Sequence, residues 1–76
     1  MIQFVRCGKV AGKNAYRVMK KEGEGSTYLG VIEFFNKKRI VEAKMNDEPH
    51  WAFRHASGRI DRFALLSEAK DEAMKC

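Results

Sequence analysis

The chain has 76 residues, of which 45% are hydrophobic; that is enough for one small domain, since a chain of this length buries only about 60% of its unfolded surface. Its formal charge is +5, and no apolar run approaches the ~20 residues that cross a bilayer. This composition excludes a disordered polyelectrolyte and a membrane-spanning helix.

The expectation is therefore a single domain over residues 1–76 with a basic N-terminal segment, 1–21. That segment holds Arg6, Lys9, Lys13, Arg17, Lys20 and Lys21 and no acid, whereas in residues 22–76 nine basic and ten acidic side chains nearly cancel. Such asymmetry points to a polyanionic or acidic partner. Residues 1–7 are too short and polar for an export signal, which predicts a cytoplasmic location. Cys7 and Cys76 form no ligand-spaced or CxxC pair and read as free thiols.

Turn-like stretches rich in Gly, Asn, Asp, Ser and Pro fall at 7–14, 21–26, 36–39, 46–49 and 56–59. The segments between them are rich in aromatic and β-branched residues, the rhythm of antiparallel strands joined by hairpins. Residues 2–6 predict a short strand, and 15–20 alternate Tyr16 and Val18 against Arg17. Residues 27–35 are apolar on both parities, so they predict a central strand or one crossed by a bulge. Residues 39–45 predict a strand with Val41, Ala43 and Met45 on one face. In 50–55, Trp51 and Phe53 point one way and Ala52 and Arg54 the other. Residues 59–64 predict a last strand in which Ile60 and Phe63 differ in parity.

The period then changes. Ser67 is the expected cap of a helix through 68–75, with Leu66, Ala69 and Ala73 forming one apolar stripe. Asp71 and Lys75 stand at the spacing of an ion pair. A helix this short is marginal alone, so its alanines must pack on the sheet, against Trp51, Phe53 or Val31. The fold class expected is α+β: an antiparallel sheet of three to five strands packed by one C-terminal helix.

No catalytic set converges. His50, His55, Ser57 and Asp61 are close in sequence, but the two histidines take opposite faces of one strand and Ser57 sits in a turn before Gly58. Gly8 to Asn14 has three residues between its glycines, where a phosphate loop has four, and Asn14 stands where a hydroxyl would bind magnesium. No metal-ligand spacing is present. The reading is a non-enzymatic protein without cofactor or metal.

The remaining constellation is a basic sheet face. If Trp51 and Phe53 face the helix, Arg54 faces away, and the same parity places Arg17 and Lys44 beside it, with Arg59 and Arg62 nearby and Lys20 further along the second strand. Such a face could lie along a phosphate backbone. It also reads as an ordinary solvated face, because Glu33, Glu42 and Asp61 dilute the field.

Residues 39–75 resemble the three-strand-plus-helix DNA-binding domain of phage-type tyrosine integrases. The likeness rests on Trp51-Ala52-Phe53-Arg54, the turn at Ser57-Gly58-Arg59, Phe63, and Ser67 to Ala73. It implies a sheet that enters the major groove with the helix behind it, and it implicates Arg54, Arg59 and Arg62. The functional expectation is a small nucleic-acid-binding protein of phage or mobile-element type. The alternative is a phage-type accessory or inhibitor protein that binds a host protein complex, with an acidic host protein surface as the partner and Tyr28, Phe35 or Trp51 as an exposed anchor. An unpaired sheet edge offers homodimer formation without demanding it.

Overall fold

The computed structural model describes residues 1–75; Cys76, one of the two expected free thiols, lies outside the described residues, and Cys7 is exposed. Five strands, β1 (Ile2–Val10), β2 (Lys13–Glu22), β3 (Gly25–Phe35), β4 (His50–His55) and β5 (Ile60–Phe63), form one antiparallel sheet in the order β1-β2-β3-β4-β5. Helix α1 (Lys37–Glu42) joins β3 to β4, and α2 (Leu66–Met74) closes the described chain. The expected α+β class, antiparallel sheet and C-terminal helix are all present. The molecule is long for its size, 42 × 21 × 20 Å, because β1, β2 and β3 extend well beyond the shorter β4 and β5.

Strand parity sorts the side chains. One face carries Val18, Ile32, Trp51 and Phe53, which bury Ala69 and Ala73 of α2 in one core cluster. The expected stripe of α2 therefore packs where the sequence placed it, on Trp51 and Phe53. Val31 has the opposite parity and lies on the other face. Alanine is needed at 69 and 73 because both are fully buried; a larger side chain would push the helix off the aromatic rings. Ser67 is not the cap. The helix begins at Leu66 with Leu65 as N-cap, and the Leu65 N–H donates to Glu68 Oε1 at 3.0 Å. Lys75 pairs with Glu72 at 3.3 Å, not with Asp71.

The largest correction concerns residues 39–45. They are not a strand. Asn36 Oδ1 accepts from the Arg39 N–H at 2.9 Å and caps α1. The Val41-Ala43-Met45 alternation does not make a buried face: Val41 is 64% exposed, and the side chain that α1 buries is Ile40. Lys44 follows the helix at φ 56°. The Met45 N–H bonds to the Ile40 carbonyl at 3.0 Å and the Lys44 N–H to that of Val41 at 3.1 Å, the pattern of a left-handed helix stop. α1 lies on the sheet face opposite α2, where Ala15 and Ala52 are buried. The sheet is thus covered on both sides, fully on neither.

The N-terminal hairpin is longer than expected. Residues 7–10 continue β1 through an irregularity between Arg6 and Lys9, where Gly8 takes φ 125°. The turn is confined to Ala11 and Gly12, both at positive φ, the geometry that two-residue hairpins use. A second irregularity between Val18 and Met19 places Leu29 as an extra residue in β3, the bulge its double-parity pattern suggested.

Candidate nucleic-acid interface

The outer face, opposite α2, is half open. α1 covers its Phe35 end. Beyond α1, the register aligns Val5 with Arg17, Arg17 with Val31, Val31 with Arg54 and Arg54 with Ile60. One row thus crosses all five strands and alternates apolar and guanidinium side chains. Strands lie about 4.8 Å apart, so Arg17 and Arg54 stand roughly 10 Å from each other with Val31 between them. Both arginines are exposed, and neither has an ion pair among the described residues. Val5 and Ile60 at the ends of the row are 45% and 49% exposed.

The other candidate residues are elsewhere. Lys20 has the parity of Val18, lies near the β2–β3 tip and pairs with Glu22 at 3.2 Å. Lys44 is not on the sheet; it is the exposed residue that ends α1. Arg59 precedes β5 and turns toward the helix side, 2.8 Å from Asp61 and 3.9 Å from Glu72 of α2. Arg62 shares the outer face but is held by Asp47 at 3.4 Å. The structure therefore brings Arg17, Arg54 and Arg62 to one face and leaves Arg17 and Arg54 without carboxylate partners among the described residues. Glu33 also lies on that face, where Arg39 engages it at 3.3 Å.

Pairing of β1 with β2 gathers the acid-free N-terminal segment into one ribbon. Arg6, Lys9, Lys13 and Lys21 have no ion pairs among the described residues. Lys13 stands 5.3 Å from the centroid of the Phe34 ring. The positive field that the sequence placed in the first third of the chain is thereby concentrated on one long edge hairpin.

The histidine cluster is a tie between elements. His55 Nε2 meets Asp61 Oδ2 at 2.8 Å, and the His55 ring stacks on Phe53 with centroids 4.1 Å apart. The Arg59 guanidinium, and then the His55 ring, hold the Asp61 carboxyl below the usual aspartate range. Ser57 makes no hydrogen bond to His55, so nucleophile, base and acid are not aligned. His50 Nδ1 contacts the Glu48 carbonyl at 2.7 Å, while its Nε2 is buried without a partner. Among the described residues no three His, Cys, Asp or Glu side chains cluster to hold a metal.

Of the three expected anchors, Trp51 is buried in the core, Phe35 lies half-buried beneath the Arg39 guanidinium at 3.9 Å, and Tyr28 is exposed. Sequence reasoning missed Val5, Val31 and Ile60 as members of the outer face, while Glu33 lies there as expected. The signal for the missed three was parity: each is in register with Arg17 or Arg54. It also missed Arg39, because α1 read as a strand. Comparison with protein-family models, with curated proteins and with solved structures finds no match for this chain.

Proposed function

We propose that this is a non-enzymatic nucleic-acid-binding protein whose outer sheet face carries a phosphate backbone. The observation that supports it is the row Val5–Arg17–Val31–Arg54–Ile60, with two guanidiniums in register that have no ion pair among the described residues, beside an acid-free basic ribbon. A guanidinium can fork onto phosphate oxygens, and apolar neighbours between guanidiniums can support sugars or bases. Arg17 and Arg54 are the main contacts of this reading. Arg62 and Lys20 are secondary, since each is shared with a carboxylate, and Lys44 and Arg59 contribute through the general field.

The test is an electrophoretic mobility shift with single- and double-stranded oligonucleotides across a salt series. The reading expects binding at low salt whose affinity falls linearly with salt on logarithmic axes. Absence of any shift at low salt ends it. A second reading, an acidic host protein surface, is favoured by one observation: Val5, Ile60 and Tyr28 are large, apolar and exposed around the arginines, a mixture suited to interface hot spots. A nuclease-treated pull-down that still recovers one defined protein would favour it.

A further inference from the structure

We propose that the cleft between α1 and the outer sheet face takes one unstacked nucleobase, with guanine preferred, which makes the ligand single-stranded nucleic acid. This rests on the nucleic-acid reading above and names its ligand more closely.

The cleft holds about 310 Å³. That is the low end of ligand pockets, roughly 300–1,000 Å³, room for one small ring system. Its walls are apolar: Phe35, Ala52 and Ile60 from the sheet, Ala43 and Met45 from the end of α1. Its charged groups are Arg54, Arg62 and Glu33. Arg54 belongs both to this cleft and to the row that includes Arg17, so a strand lying along the row passes the mouth.

Glu33 supplies the selectivity. It is only 8% exposed, and an ionised carboxylate so placed must be compensated. Arg39 does this on one side only, through Oε1 at 3.3 Å. Among the described residues Oε2 has no hydrogen-bond partner, and it is not sealed from solvent as Asn14 Oδ1 and His50 Nε2 are. A carboxylate accepts and does not donate. The base that offers it adjacent imino and amino donors on its pairing edge is guanine. Adenine and cytosine offer one amino group each beside an acceptor, which the carboxylate would repel. Thymine offers a lone imino donor between two carbonyls. Single-stranded recognition reads such edges directly, with arginine planes or apolar groups against the base face.

The experiment uses the full chain and fluorescence anisotropy. The probes are oligothymidine and oligodeoxyadenosine of about ten nucleotides, within the usual footprint, oligothymidine with one central guanine, and a mixed-sequence duplex. The guanine-bearing strand should bind about ten- to hundredfold tighter than oligothymidine, the discrimination of one good two-bond contact. Glu33→Gln should remove the preference while salt-dependent binding of oligothymidine persists. Since Glu33→Gln also loosens Arg39, Ala43→Trp serves as a second variant: it fills the mouth from an exposed position and should abolish the preference with the Glu33–Arg39 pair intact. Equal affinity for all single strands overturns the base pocket and leaves the parent reading standing, as does binding of the duplex alone. A guanine preference that survives both variants also overturns the pocket. No binding of any probe at low salt overturns the parent reading itself.

Discussion

Gly30 is the position where a single methyl group should do most damage. It is buried in β3 beside the Leu29 bulge, at φ 153°. A β-carbon there would collide with the Arg54 carbonyl oxygen and stand 2.7 Å from Phe53 Cε1. Neither obstacle can step aside. The carbonyl belongs to the strand paired with β3, and the Phe53 ring is fully buried, with His55 stacked on it. Overpacking costs about 1–3 kcal/mol, and a non-glycine residue in a rare backbone region about 1–3 kcal/mol more. Gly30→Ala should therefore lose roughly 2–6 kcal/mol. A chain of 76 residues is stable by only about 4–11 kcal/mol, so the variant loses about half its stability or fails to fold. Urea unfolding followed by fluorescence of the single tryptophan, Trp51, reads this directly. The melting temperature should fall by roughly 10 °C or more. Gly23→Ala is the control, since Gly23 has φ 58° but nothing near its β-position; it should cost about 1 kcal/mol. A Gly30→Ala loss equal to that of Gly23→Ala would refute the packing argument.

The other predictions address the helices, the ion cluster and the arginine row. Lys44→Gly should stabilise the protein by about 0.5–1 kcal/mol, because Lys44 ends α1 at φ 56° where glycine is unstrained; thermal melts check it. Asp61 has a folded pKa below its ordinary value, so its contribution is present above the unfolded pKa and is lost as pH falls through the lower folded value. Wild-type melting temperature should therefore drop on the acid side of the aspartate range, and Asp61→Asn should flatten that part of the profile. Arg17→Ala and Arg54→Ala should each reduce the slope of log affinity against log salt by about one, whereas Arg59→Ala, already held by Asp61 and Glu72, should change it less; anisotropy titrations at several salt concentrations separate them.

Much of this fold could be read from the residues themselves, and the misreadings have physical causes. Trp51 and Phe53 announced the core face of β4 by simple alternation, and Ala69 and Ala73 announced the face of α2 by helical spacing. β3 carried apolar residues on both parities because α1 and α2 cover opposite faces and because Leu29 is a bulge. Residues 39–45 misled because Val41, Ala43 and Met45 alternate as a strand would. The deciding signal was Asn36, whose side chain caps the following turn, together with the good helix formers Lys37, Lys38 and Arg39. That one misreading displaced Lys44 from the sheet and hid the cleft, since the cleft exists only where α1 overhangs Glu33 and Ala52. The pairing of Lys20, Arg59 and Arg62 with Glu22, Asp61 and Asp47 depends on hairpin and loop geometry that parity alone does not contain. What parity did carry was Arg17 and Arg54 on the face away from the core.

Amide chemical-shift mapping during titration with an oligonucleotide of about ten nucleotides tests that face most directly. Shifts should concentrate on Val5, Arg17, Val31, Arg54 and Ile60 and fade as salt is raised. Shifts confined to α2 and its side of the sheet, or none at low salt, would contradict the account.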